Sequence, residues 1–275
     1  MNKGNKESRK RKVNIYMDSS GIYYTIKSKK DSINGKVLFD LESNESMGYP
    51  ERLRKLRQEV KLMRKRNKIK EFNFILTEGI RLVKVIKFNR QIQLNNDVEL
   101  VLKEELTKYL QPSESINDYD IKYFKTGKKT QDVFLVALIR RKHIVELCTY
   151  AIQDSLNLGK IIIPELAMYG CLKDLNGINI AVLYNEGLYE LRTLVCRGSE
   201  FLFASQIGTI GKDEVEEEIS KLELHIRNQY NIAVNEIKVI GLDSVSEPTI
   251  ETEDKLEVDA KEEVQDNRYL LLMNM

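Results

Sequence analysis

Apolar residues recur along the chain with two periods, and the switches between them mark out its elements. From Lys12 to Lys27 the alternation is that of strands, with Val13, Ile15 and Met17, then Ile22, Tyr24 and Ile26, on either side of a turn at Asp18-Ser19-Ser20-Gly21. Gly35–Asp40 predicts a third short strand. From Glu51 the spacing lengthens, and Leu53, Leu56, Val60 and Met63 fall at i, i+3, i+7 and i+10, one face of a helix. Phe72–Leu76 and Arg81–Phe88 read as strands about a Glu78-Gly79 turn, and Asp97–Leu110 as a helix. Asp118–Phe124 and Asp132–Ile139 read as strands about a turn containing Gly127. Lys142–Leu158 then reads as a helix ended by Gly159. The second half repeats the opening, with strands at Ile178–Leu183, Leu188–Val195 and Glu200–Ile207, a helix at Glu214–Tyr230 and a strand at Glu236–Ile240. Beyond Gly241 the chain is acidic and aperiodic until Tyr269–Met275. The pattern predicts a duplicated β-meander plus helix, with a small α/β module at about 71–140 inserted in the first copy.

Composition narrows the classes. The chain has 275 residues, 42% hydrophobic and 31% charged, with a net charge of +2, which fits an ordinary globular protein of one or two domains. Cys148, Cys171 and Cys196 are widely spaced, without a CxxC, and only two histidines could join them. A disulfide scaffold and a zinc site are therefore not expected, and the compartment reads as reducing, hence cytoplasmic. No apolar run reaches the ~18–20 residues of a spanning helix, and the basic start, Met1–Lys12, lacks the apolar core of a signal peptide. His143 and His225 have no nucleophile or acid arranged with them, so no catalytic set is expected and the chain does not read as an enzyme.

Charge is unevenly distributed. Residues 1–12 and 52–70 are basic, whereas 213–223 and 243–266 are acidic. Around the apolar stripe of the helix from Glu51 stand Arg54, Lys55, Arg57, Lys61, Arg64, Lys65 and Arg66. The plain reading is a core-docked helix with a solvated cationic face. Peripheral contact with an anionic membrane leaflet is the alternative; nucleic acid is the weakest, because no aromatic or Gly-rich recognition chemistry is interleaved. The apolar tail Tyr269–Met273 reads as packing on the second half.

The order of elements, with several local phrases, resembles the PilM-like type IV pilus assembly family of the actin-like superfamily, related to FtsA and GspL. The phrases are Glu99 to Pro112 followed by Asp118-Tyr119-Asp120, then Phe134–Ile139, His143–Asn157 and Ile163-Pro164-Glu165-Leu166-Ala167. A strand-to-glycine passage at Phe203–Ile207 with Gly208 and Gly211 is similar too. The resemblance implies an actin-like, ribonuclease H-like α/β fold of two lobes. A basic tail at 1–12 would precede a first lobe at 13–176, carrying the module, and a shortened second lobe at 177–275. It also implies a cytoplasmic scaffold peripheral to the inner membrane. Such a scaffold would capture the cytoplasmic N-terminal peptide of a PilN-like bitopic protein and link it to the pilus motor and platform. By position, the groove for that peptide would involve Phe72, Phe74, Arg81, Val83, Glu105 and Tyr109.

The departures concern the nucleotide. The superfamily holds ATP and Mg²⁺ on two Asp-x-Gly hairpins, where glycine opens backbone N–H groups to the phosphates and aspartate organises the metal. Here the first aligns with Tyr16-Met17-Asp18-Ser19-Ser20-Gly21, the second with Tyr184-Asn185-Glu186-Gly187, and the adenosine turn survives only as Gly241-Leu242. The expectation is a pseudo-ATPase with degenerate turns at Asp18, Ser19, Ser20, Gly21, Gly187 and Gly241 and no cofactor or metal. Asp18 to Gly21 read first as an ordinary Asx turn, and only second as a phosphate turn with shifted chemistry. The alternatives are an active actin-like ATP-binding protein, or a GspL-like cytoplasmic component of type II secretion, against which the end of the chain at Met275 counts.

Overall fold

The computed structural model describes residues 11–18, 20–27, 32–39, 48–67, 69–89, 97–126, 132–185, 189–208, 210–231 and 233–240. Strands β1 (Arg11–Met17), β2 (Gly21–Lys27) and β3 (Ser32–Leu38) form an antiparallel meander, followed by α1 (Tyr49–Asn67) and β4 (Ile69–Ile75). The inserted module follows, with β5 (Ile80–Phe88), α2 (Asp97–Thr107), β6 (Tyr119–Thr126) and β7 (Asp132–Arg140). The first lobe resumes with α3 (Arg141–Gln153), β8 (Leu158–Ile162) and α4 (Pro164–Leu172). The second comprises β9 (Ile178–Asn185), β10 (Glu190–Arg197), β11 (Glu200–Ile207), α5 (Val215–Tyr230) and β12 (Val234–Ile240).

The duplication is visible in the sheets. The first has the order β3-β2-β1-β4-β8 and the second β11-β10-β9-β12, with β4 parallel to β1 and β12 parallel to β9. Each half is thus a meander whose first strand is central and is joined by a parallel strand after a helix. Every residue of β9, Ile178–Asn185, is buried, as a central strand covered on both faces requires. Helix α1 buries Leu53, Leu56, Val60 and Met63, the stripe its spacing predicts, together with Arg52.

The module sheet, β5-β7-β6, is covered on one face by α2. There Val98, Leu102 and Leu106 pack on Ile86, Phe134, Val136 and Leu138. Its other face, through Val83, Val133, Leu135, Ala137 and Ile139, joins a cluster that also holds Tyr16, Tyr23 and Ile75 of the first lobe and Leu183, Leu194, Cys196 and Phe201 of the second. Both lobes and the module therefore share one core. No described helix is long and apolar enough to cross a membrane.

Three expectations need correction. Strand β4, with Phe72 and Phe74, lies between β1 and β8 in the main sheet, so the module begins at β5 and not at residue 71; the Glu78-Gly79 turn leads from one sheet to another. The helix read as Lys142–Leu158 stops at Gln153, where Asp154 and Ser155 turn the chain, Ser155 with φ of 50°. Gly159 is not its cap but part of β8. A Cβ there would collide with Asn73, whose Oδ1 accepts the Lys160 N–H at 2.8 Å. Ser19, Glu186, Gly187, Gly241 and the segments 1–10 and 241–275, including the apolar tail, lie outside the described residues.

Because the shared core joins all three sheets, urea unfolding followed by far-ultraviolet dichroism and by tyrosine fluorescence should give coincident single transitions. Leu194→Ala, at a fully buried position in that core, should lower the stability by about 2–5 kcal/mol without separating them.

Candidate functional site

The seam between the lobes, where Arg192 of the second meets Glu165 and Thr77 of the first, is filled by charge. On the first-lobe side, the buried Asp18 closes its own turn: its Oδ1 accepts the N–H groups of Ser20 at 2.8 Å and Gly21 at 3.1 Å, and the Ser20 hydroxyl at 2.6 Å. The Ser20 and Tyr23 hydroxyl oxygens lie 2.9 Å apart, and the Tyr23 ring packs against Tyr16. At the end of β4, the Thr77 hydroxyl donates to the Met17 carbonyl at 2.5 Å, and Glu78 accepts two hydrogen bonds from Arg52, at 2.6 and 2.9 Å.

From the second lobe, Arg192 of β10 enters this seam with its side chain only 2% exposed. It donates to Glu165 of α4 at 2.9 Å and to the Thr77 carbonyl at 3.3 Å, and it pairs with Glu190. Glu190 in turn accepts from Gln206 at 3.1 Å. One guanidinium therefore ties two elements of the first lobe to the second.

The electrostatics follow from burial. Desolvation raises the pKa of Glu78 above the ordinary carboxylate value despite Arg52, with the charges of Asp18 and Glu190 adding to the effect. Glu190 is raised for the same reason, burial outweighing Arg192, with Glu165 as a neighbouring charge. Burial works against the Arg192 cation, but its two carboxylates outweigh it and raise the pKa. Cys196 behind the seam has a thiol pushed up to about 12 by burial.

These residues do not fit the phosphates of a nucleotide. The backbone N–H groups of Ser20 and Gly21, which an anion would use, are held by Asp18 itself, and Glu78 feels the charges of Asp18 and Glu190, as Glu190 feels that of Glu165, beside two arginines. Among the described residues no group of histidine, cysteine or acidic side chains is arranged to hold a metal ion.

A second feature lies where the module meets the first lobe. Strand β7 passes into α3 without a linker, and beside that junction is a groove of about 620 Å³ lined by Glu114, Asn117, Tyr119, Arg140, Arg141 and Lys142, among others. Of the groove residues inferred from the resemblance, Arg81 reaches it indirectly, holding Glu114 at 2.9 and 3.1 Å. Phe72, Phe74 and Val83 are buried in the core, and none of the three lines this groove. Glu105 pairs with Lys108 on α2, and Tyr109 sits under Lys84, 3.6 Å from its ring centre; neither lines the groove. His143 packs edge-on against Tyr49, and the missing side chain of Gly79, whose φ is 75°, leaves the His143 ring room.

Sequence reading missed Arg192, Glu165, Glu190, Arg52 and Glu78. Two signals were present: Arg192 is a charge placed between Leu191 and the run Leu194 to Cys196, and Arg52 precedes Leu56 by four, which puts it on the buried face of α1.

No family model matches the chain, and no curated protein matches it in sequence. Solved structures do match. A PilM-PilN type IV pilus biogenesis complex is 14% identical with a TM-score of 0.56, over 82% of this chain and 67% of that one. The cytoplasmic domain of EpsL, an inner membrane component of the type II secretion system of Vibrio cholerae, is 10% identical with a TM-score of 0.52, over 96% and 94%. A Bacteroides thetaiotaomicron protein of unknown function described as having an actin-like ATPase fold is 11% identical with a TM-score of 0.50, over 86% and 84%. The fold is that of the actin-like ATPases. In this actin-like chain the interlobe seam is bridged by Arg192.

Arg192→Met should leave Glu165 and Glu190 buried without their cation and cost about 3–5 kcal/mol in urea unfolding. Adding Glu165→Gln and Glu190→Gln to it should recover most of that loss. At the groove, hydrogen bonds from Arg81, the Gln111 N–H and Tyr119 hold Glu114 at a pKa of about 2, and Arg57 and Lys61 do the same for Asp154. Both folded values lie below the ordinary 4.5 and 3.8. Their stabilisation is therefore complete above those values and is lost as pH falls through about 2. In carboxyl-carbon NMR titrations, Arg81→Met should return Glu114 toward 4.5 and leave Asp154 unchanged.

Proposed function

We propose that this actin-like chain is a scaffold that captures an extended segment of a membrane-anchored partner and does not turn over nucleotide. The observation that carries the reading is the self-closed seam: Asp18 caps its own turn and Arg192, Glu165 and Glu190 fill the space between the lobes. A scaffold has no need of a lobe movement driven by ligand exchange, and a core shared by both lobes and the module suits it.

The partner follows by likeness. One solved neighbour is a PilM-PilN type IV pilus biogenesis complex and another is part of the type II secretion system. We take the context to be pilus assembly or a related secretion machine on the cytoplasmic side of the inner membrane. The partner would be a PilN-like bitopic protein engaged through its cytoplasmic N-terminal segment. The junction groove beside β7 and α3 is the surface for that segment. Backbone pairing and side-chain pockets there would divide affinity and specificity, as in other extended-peptide modes.

The test is a titration with labelled peptides from the cytoplasmic N-termini of PilN-like proteins, with and without Mg-ATP, on the parent chain and on Arg140→Glu/Lys142→Glu. Saturable binding that ignores Mg-ATP and weakens at least tenfold in the variant is expected. Mg-ATP should leave the melting temperature unchanged, whereas a true ligand at about 100 times its Kd would add roughly 2.7 kcal/mol. Stabilisation by Mg-ATP, or peptide binding that requires it, would overturn the reading.

A further inference from the structure

The outward face of α1 carries charge that neither the core nor the seam uses. Opposite the buried Leu53, Leu56, Val60 and Met63, the helix exposes Arg54, Lys61 and Lys65 at i, i+7 and i+11, flanked by Arg64 and Arg66. A helix of 19 residues extends about 28 Å, so this is a long, narrow cationic ridge. Its local compensation is incomplete. Glu51 pairs with Arg54, and Asp154 takes both Arg57 and Lys61 while its carbonyl accepts from Arg64. Lys65 and Arg66 have no ion pair among the described residues.

The ridge is extended at one end. The Arg11 guanidinium donates to the Asn67 carbonyl at 3.5 Å, which brings the start of β1 to the C-terminal end of α1. Beside the ridge stands Leu62, an aliphatic side chain 40% exposed one turn before Lys65 and Arg66.

We propose that this ridge seats the protein on an anionic phospholipid surface. A single convex helix with several cations and a lone exposed leucine has the composition of an interfacial contact. The ammonium and guanidinium groups meet headgroup phosphates, and the leucine enters the boundary of the acyl region. Nucleic acid is disfavoured because the neighbouring rings, Phe39 and Tyr150, lie under Lys55 and Arg57 and offer no face for stacking a base. The inference does not depend on peptide capture or on the state of the seam.

The experiment is flotation of the full chain with vesicles of phosphatidylcholine alone, and with vesicles of equal parts phosphatidylcholine and phosphatidylglycerol. The expected result is binding to the mixed vesicles only, weakened by salt. The triple variant Arg54→Glu/Lys65→Glu/Arg66→Glu should reduce partitioning on the order of 100-fold or more, given the contribution of each basic residue near an anionic surface. Its melting temperature should stay that of the parent, because none of the three residues is buried. Leu62→Ser should weaken partitioning several-fold. Equal binding of parent and triple variant to the mixed vesicles would overturn the proposal. So would a parent chain that ignores them while binding a short duplex DNA.

Discussion

A buried guanidinium with two carboxylates holds the architecture in register. Arg192 lies on the second lobe, Glu165 on the last helix of the first, and the Thr77 carbonyl at the point where the main sheet gives way to the module. An arginine cannot discard its proton to escape a dry site, so the fold must supply partners in defined places. A displacement of the lobes by a few ångströms would strand either the cation or its acids. The Thr77 hydroxyl, bonded to the Met17 carbonyl, carries that constraint back to the first meander turn. Arg52 with Glu78 repeats the arrangement one residue further along.

The apolar residues around this set explain why the arrangement persists. Tyr16, Tyr23 and Ile75 of one lobe, Leu183, Leu194 and Phe201 of the other, and Val83, Leu135 and Ala137 of the module belong to one cluster. A cleft that opened and shut would have to part this cluster and wet it at each cycle. Instead one face of the module sheet adds Val83, Val133, Leu135, Ala137 and Ile139 to the cluster, and its other apolar face is packed by α2. The electrostatic set gives the lobes one relative position, and the hydrophobic burial supplies most of the stability of that position.

Much of this was legible in the sequence where one period ran uninterrupted. The stripe Leu53, Leu56, Val60, Met63 fixed α1, and the apolar residues of Ile178–Leu183 marked a strand, though not its central place in the sheet. The duplicated order of elements led to the two-lobe fold. Reading failed where a residue's reason lay across the chain. Gly159 looked like a helix cap because local chemistry favours that, yet its lack of a side chain answers to Asn73, some 86 positions earlier. Phe72 and Phe74 were assigned to the module by proximity in sequence, although β4 pairs with β1 and β8. Arg52 was hidden among other cations, and only its helical phase distinguished it. Glu165 and Glu190 become a site only when Arg192 stands between them, a juxtaposition no local pattern announces.

The junction of β7 with α3 has a mechanical meaning. Arg140 ends the strand and Arg141 begins the helix, with no hinge residue between them, and α3 is clasped to α1 at its far end through Asp154. The groove is therefore joined to the outer face of the first lobe by an unbroken path, down α3 and through the Asp154 clasp into α1, with no linker along it to absorb a displacement.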